Sequence, residues 1–219
     1  MRCKERFLKH TLSLCPTLNP AVATSIAQIS ENHNYNMKGS HNSLTYASPK
    51  KWWGWLAVPV WKCQRLNLSQ QINAGVRCFD IRCAWDGHKF IGAHGLIDLK
   101  IDIITALRFI AYLSDDKAYI RIILEKGGDN PQICELFKEE CKHWQKLWPG
   151  MTFFCGRSKK TWAKVANVPD GPDVIQHIGS MKSRWGEIFP GLWAIMHRKD
   201  IPAEYYNNKL PIVHIDFVK

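Results

Sequence analysis

The sequence predicts an α/β fold with a mostly parallel sheet, arranged as a single domain. Short apolar runs alternate with longer segments whose apolar residues recur at helical spacing, the pattern of strands joined by crossover helices. No GxGxxG follows the first strand and no GxxxxGK[ST] occurs, so the main sequence motifs of nucleotide-binding α/β folds are missing. Polar residues recur at the ends of the predicted strands, which favours a TIM-type barrel. A length of 219 residues suits one such domain.

The elements follow in order from residue 35. Residues 1–34 lack strong periodicity and are predicted to be an N-terminal extension, and residues 35–219 form the predicted domain. Apolar runs predict strands at Tyr35–Ser40, Gly75–Arg82, Lys89–His94, Ala118–Glu125, Met151–Cys155, Leu192–His197 and Ile212–Val218. Helical spacing predicts helices at Ile101–Ser114 and Pro131–Trp148, the second of which opens with proline.

Composition narrows the classes of partner. The formal net charge of +11 attracts polyanions such as nucleic acid, anionic lipid headgroups or phosphorylated metabolites, although the charge can also serve solubility alone. The 8 cysteines form no CxxC pair and have no zinc-ligand spacing, and their apolar surroundings favour a reducing compartment. No apolar run reaches the length of a membrane span and no convincing signal peptide opens the chain, so we expect a cytoplasmic or peripheral membrane protein.

Two strand ends carry residues that suit proton transfer. In GVRCFDIR, Asp80 and Arg82 share one strand face, where they either form a structural ion pair or bind something. His94 ends the strand in KFIGAHG, and His41 follows the first strand in KGSHNS. Asp216, near the chain end in LPIVHIDFV, is a carboxylate that can orient an imidazole.

Four segments, GSHNS, QQINAGVRCFDIR, GAHG and IVHIDFV, occur in this order and resemble the X domain of phosphatidylinositol-specific phospholipase C, above all its compact bacterial forms. The resemblance covers roughly residues 35–219 and implies a distorted TIM (β/α)8-type barrel. It implies that His41 is the general base for the inositol 2-hydroxyl, with Asp216 holding its ring. His94 is then the general acid, Arg82 neutralises the phosphorane, and Asp80 supports the arginine. Intramolecular attack on a phosphodiester needs these three kinds of group.

Two departures from the family pattern concern metal dependence. Metal-independent bacterial members carry Asp after the first histidine, where this chain has Asn42. Calcium-dependent members suggest Asn42, Asp80 and Glu125 as alternative Ca²⁺ ligands. Arg82 stands at the fourth ligand position, and a guanidinium repels calcium. We therefore expect no metal cofactor, with Glu125 paired to Arg82 and calcium as the alternative.

The segment KKWWGWLAVPVWK, from Lys50 to Lys62, is rich in tryptophan between basic residues. Trp52, Trp53 and Trp55 suit a membrane interface, where an indole ring is half apolar and lysine meets anionic lipid. The alternative is that these rings plug the barrel core. Asn42, Glu125 and His214 are further candidates for contact with substrate.

The leading functional hypothesis is a phosphodiesterase that cleaves phosphatidylinositol-type phospholipids or glycosylated relatives, acting at a membrane surface and not on nucleic acid. A related glycerophosphodiester or sphingolipid phosphodiesterase is one alternative. The other is a non-catalytic phosphoinositide-binding or polyanion-binding module. The sequence leaves the oligomeric state open.

Overall fold

The computed structural model describes residues 37–115, 117–153, 157–158, 175–178, 189, 192, 212–215 and 218. Within them one sheet contains nine strands: β1 Met37–Ser40, β2 Cys78–Trp85, β3 Phe90–His94, β4 Ile97–Asp102, β5 Tyr119–Leu124, β6 Thr152–Phe153, β7 Arg157–Ser158, β8 Ile175–Ile178 and β9 Ile212–Ile215. A 3₁₀ turn spans Trp52–Trp55. The α-helices are α1 Val58–Trp61, α2 Leu68–Asn73, α3 Ile103–Leu113 and α4 Pro131–Leu147.

The sheet has the parallel order that a barrel of this class requires. Neighbouring strands run β8, β9, β1, β2, β5, and β5 continues to β6 and β7, all parallel. The predicted α/β barrel-type fold is thus confirmed, although the sheet is not closed within the described residues. The predicted extension over residues 1–34 lies outside them, as does the predicted strand at 192–197 apart from Leu192.

An antiparallel hairpin corrects one sequence prediction. Ile101 and Asp102 belong to β4, which pairs with β3, whereas they were predicted to open a helix. The helix α3 begins only at Ile103 because the Asp102 side chain accepts a hydrogen bond from the Ile104 amide at 3.0 Å, an N-cap. The strand β2 likewise begins at Cys78, three residues later than predicted, because Gly75 takes a positive φ of 87° after α2.

The core lies between the outer sheet face and the helices. Alternation along β2 sends Phe79 and Ile81 into the apolar cluster, which leaves Asp80 and Arg82 for the inner face. From α4, Phe137 and Trp144 pack edge-on against Phe90 of β3, with ring centroids 5.4 and 6.1 Å apart. Packing against the helices in this apolar cluster holds β2, β3 and β5, the strands that carry the site.

None of the described helices is both long and apolar enough to cross a bilayer.

Candidate active site

His41 lies directly after β1, buried at the carboxyl end of the sheet. Its Nε2 atom is 3.1 Å from Nη2 of Arg82 and 3.7 Å from Oδ2 of Asp80. The parallel register of β1 with β2, in which Ser40 pairs with Phe79, brings these groups together and places Asp80 and Arg82 inside β2, not at its end as predicted. A base, a cation and a carboxylate thus meet at one point.

Asp80 is completely buried and is held by two guanidinium groups. Arg121 of β5 donates to Oδ1 at 2.7 Å, and Arg82 donates to Oδ2 at 3.4 Å. The Asn42 backbone amide donates to Oδ2 at 3.1 Å. A buried carboxylate is costly unless it is paired and hydrogen-bonded in this way. Asp80 is therefore a fixed anion whose two oxygens are both engaged.

Glu125, directly after β5, connects Arg82 to the loop behind His94. Arg82 Nη1 lies 3.4 Å from Oε2 of Glu125, and the Gly95 amide donates to Oε1 at 2.9 Å. Gly95 adopts a φ of 56°, the left-handed conformation that glycine takes without strain. The predicted pairing of Glu125 with Arg82 agrees with this geometry.

His94 ends β3 and is held by two uncharged groups. Its Nδ1 atom is 2.5 Å from the Trp61 carbonyl oxygen, which only accepts, so Nδ1 carries the proton of the neutral ring. Its Nε2 atom is 3.1 Å from Nδ2 of Asn42, which donates. Burial and the nearby Arg82 charge lower the pKa of His94 to about 4, against smaller opposing effects of Glu125 and the Trp61 carbonyl.

Asn42 joins the two histidine environments. It adopts a left-handed backbone with φ 48°, which asparagine tolerates better than most residues. Its backbone amide binds Asp80, and its side-chain amide binds His94. The side-chain oxygen Oδ1 is buried without a hydrogen-bond partner in the described part of the chain.

The same contacts test the calcium alternative. Asp80 and Glu125 already bind arginine side chains, so a cation placed between them and Asn42 would lie against the Arg82 guanidinium. The described residues contain no group of three or more His, Cys, Asp or Glu side chains placed to hold a metal. The residues present therefore do not fit a calcium ion.

The structure thus brings six of the predicted residues into one hydrogen-bonded cluster: His41, Asn42, Asp80, Arg82, His94 and Glu125. The backbone of His214 in β9 pairs with Gly39 of β1, which places it beside the strand that leads to His41. Asp216 lies outside the described residues. Its predicted role in holding His41 stays a prediction.

The tryptophans occupy a different place from the cluster. Trp52 and Trp55 are 75% and 55% exposed and Trp53 is 37% exposed, whereas Trp61 in the same segment is 3% exposed. The three predicted interfacial rings are therefore not the core plug that was the alternative. Trp61 alone packs inward, where its carbonyl meets His94.

Sequence reasoning missed three contributors to the site. Arg121 stands in the apolar run YIRIIL, and an arginine inside a buried strand is itself an indication of a buried anion. Gln64 donates to the His41 carbonyl at 2.8 Å and accepts from the Val218 amide at 3.1 Å. It thereby ties the end of the chain to the site. The third contributor is Trp61, whose backbone carbonyl contacts His94. Because every residue has a backbone carbonyl, no sequence pattern indicates this contact.

The fold is similar to a phosphatidylinositol-specific phospholipase C from Listeria monocytogenes, with 17% identity and a TM-score of 0.55 over 84% of this chain and 88% of that one. A phosphatidylinositol-specific phospholipase C from Staphylococcus aureus is 20% identical, with a TM-score of 0.41 over 55% of this chain and 42% of the other. No family model and no curated protein sequence matches the chain. The resemblance found in the motifs is confirmed at the level of the fold, which is that of a phospholipase C-type phosphodiesterase.

Proposed function

We propose that this protein is a phosphodiesterase that cleaves phosphatidylinositol-type phospholipids or their glycosylated relatives. The observation that carries the proposal is that His41, Arg82 and His94 belong to one buried cluster linked through Asn42, Asp80 and Glu125. Phosphodiester cleavage by an internal hydroxyl needs a base, an acid and a cation, and the cluster contains all three.

In the proposed reaction the inositol 2-hydroxyl oxygen attacks phosphorus while His41 Nε2 takes its proton. The phosphorus–oxygen bond to diacylglycerol breaks, and His94 gives a proton to the leaving alkoxide. Arg82, held by Asp80 and Glu125, faces the charge that develops on the phosphorane oxygens. The products are inositol cyclic phosphate and diacylglycerol, and exchange with solvent restores both histidines.

The substrate side of the proposal places a lipid surface against the tryptophan segment. Trp52, Trp55 and Leu56 are exposed there, between the exposed Lys51 and the start of α1. Leu96, 83% exposed, follows His94 by two residues, and its neighbour Ile97 lies beside Gly54 of the 3₁₀ turn. Exposed aromatic and apolar side chains next to lysine suit the headgroup boundary of an anionic membrane.

Turnover of pure phosphatidylinositol vesicles, followed by ³¹P NMR, tests the function. We expect an inositol cyclic phosphate signal that does not form with His41→Ala. Vesicles of sphingomyelin and soluble glycerophosphoinositol serve as parallel substrates for the related phosphodiesterase classes. Cleavage of one of these, with phosphatidylinositol untouched, would assign the chain to that class instead.

One observation favours a second candidate, a non-catalytic phosphoinositide-binding module. Both ring nitrogens of His94 are engaged by protein groups, and its lowered pKa leaves it neutral near pH 7, unready to give a proton. A binding module would hold phosphatidylinositol vesicles by the same residues and produce no cyclic phosphate. Sedimentation with vesicles in the absence of any ³¹P product would select this candidate.

A further inference from the structure

The shorter of the two hydrogen bonds described for the His94 ring is to the main chain of Trp61. The 2.5 Å distance from His94 Nδ1 to the Trp61 carbonyl is short for a hydrogen bond between nitrogen and oxygen. A carbonyl oxygen only accepts, so this contact selects the ring form with its proton on Nδ1. It also leaves Nε2 as the ring atom that faces Asn42.

A second hydrogen bond holds the side chain of the residue that presents this carbonyl. The indole Nε1 of Trp61 donates to the Gly54 carbonyl oxygen at 2.8 Å, and the ring is buried beneath the exposed 3₁₀ turn. Gly54 itself has no room for a side chain, because an added Cβ would lie 2.5 Å from Cβ of Pro49. The acceptor, the ring and the carbonyl therefore form one packed unit.

The chain after Trp61 is held as firmly. The Cys63 and Gln64 amides donate to Oγ1 of Thr45 at 3.0 and 2.9 Å, and that hydroxyl donates to the Asn42 carbonyl at 2.8 Å. The peptide that presents the Trp61 carbonyl is thus fixed on one side by the indole ring and on the other by the loop that carries Asn42.

We propose that Trp61 is a positioning residue for His94, whose carbonyl sets the tautomer and the orientation of the ring and whose indole N–H holds that carbonyl in place. The inference deepens the proposed function, since it assigns the support of the residue proposed as general acid. It also connects the tryptophan segment to the candidate site, because the turn that carries the exposed Trp52 and Trp55 contains the hydrogen-bond acceptor for the Trp61 indole.

The substitution Trp61→Phe keeps an aromatic ring and removes the bond to Gly54. Its matched control is Trp144→Phe, since Trp144 is equally buried in α4 and its indole nitrogen has no hydrogen-bond partner within the described residues. The two variants make the same chemical change, so general loss of packing is common to both. Gly54→Ala is the second variant, because it displaces the acceptor and leaves the Trp61 ring intact.

The primary readout is the ¹⁵N NMR spectrum of histidine-labelled protein, which reports the tautomer of His94 without requiring turnover. We expect a dominant Nδ1–H form in the unmodified protein and in Trp144→Phe, and a mixed population in Trp61→Phe and Gly54→Ala. With a water-soluble inositol phosphodiester, we expect kcat to fall about fivefold in the latter two variants, the factor that one hydrogen bond of about 1 kcal/mol supplies, with KM unchanged.

Two failures are distinguishable. If the unmodified protein cleaves no phosphodiester, but the His94 tautomer becomes mixed in Trp61→Phe and Gly54→Ala, the proposed function is wrong and the positioning contact stands. If the protein is active and the His94 tautomer is the same in Trp61→Phe, Gly54→Ala and the unmodified protein, the role of Trp61 is overturned. A kcat loss in Trp144→Phe equal to that in Trp61→Phe would overturn it as well.

Discussion

The two histidines of the site occupy opposite kinds of surroundings. His41 lies among charges, with Arg82 and Asp80 within 4 Å of its Nε2 atom, at 3.1 and 3.7 Å. His94 is held by a carbonyl and a side-chain amide, which carry no charge. Charged side chains thus contact the His41 ring directly, whereas burial, with the nearby charge of Arg82, lowers the pKa of His94.

In the proposed reaction the two histidines have different tasks. His41 takes a proton from the attacking hydroxyl, next to the fixed anion Asp80. His94 must hold a proton before the reaction, and its lowered pKa of about 4 makes that form scarce at neutral pH. If His94 is the general acid of the proposed reaction, the rate should therefore fall as the pH rises through the pKa of His94.

The largest expected effect concerns the charged side. Arg82→Ala should lower turnover about 10³-fold, the range for removing a cation that stabilises a transition state. Arg82→Lys should recover little, since ammonium cannot reproduce the two-pronged contact of guanidinium. Arg77→Ala is the control, because Arg77 precedes the same strand and its guanidinium donates to the backbone carbonyls of Ile72 and Val76. A rate in Arg82→Ala equal to that in Arg77→Ala would break the assignment.

The substitution Asn42→Asp tests the part played by the uncharged partners of His94. Aspartate also tolerates the left-handed backbone at this position and puts a carboxylate where the amide now donates to His94. The new charge should raise the pKa of His94 by at least about 1 unit, so more of the acid is protonated at pH 7 and turnover rises about 10-fold. The descending limb of the pH–rate profile should move to higher pH. A profile that stays in place would show that His94 is not the acid.

A smaller effect is expected at the lipid surface. Replacing Trp52 and Trp55 with alanine should weaken binding to anionic vesicles about fivefold or more and leave the rate on a soluble phosphodiester unchanged, because both rings are exposed. Tyr112→Ala is the control, since this ring is 82% exposed on α3. Equal losses of vesicle binding in the tyrosine variant would mean that the tryptophans have no special part in it.

No effect is expected from chelation. The two carboxylates of the site are engaged by arginine, so turnover in EDTA should equal turnover in added calcium. Arg82→Asp removes the guanidinium and adds an oxygen ligand beside Asn42, Asp80 and Glu125, so any activity that it retains should become calcium-dependent. Loss of activity of the unmodified protein in EDTA, with recovery in calcium, would contradict the role of Arg82 as the cation and would indicate a metal site.

How far the sequence could predict the site follows from the kind of contact involved. Asp80 and Arg82 were predicted to share a face because strand alternation is local, and they do. The contact of Arg121 with Asp80 depends on the register between β2 and β5, which no local pattern contains. The alternation in IDLKID could have indicated β4, but the adjoining helical spacing obscured it. The Trp61 carbonyl could not be found, since every residue has one.

The most direct test of the central claim compares leaving groups in the two histidine variants. A nitrophenyl inositol phosphodiester releases a stable anion that needs no proton, whereas an alkyl diester of the same headgroup does need one. The account predicts that His41→Ala lowers turnover of both substrates by at least about 100-fold, and that His94→Ala does so only for the alkyl substrate. Equal losses on both substrates in His94→Ala would contradict its role as the general acid.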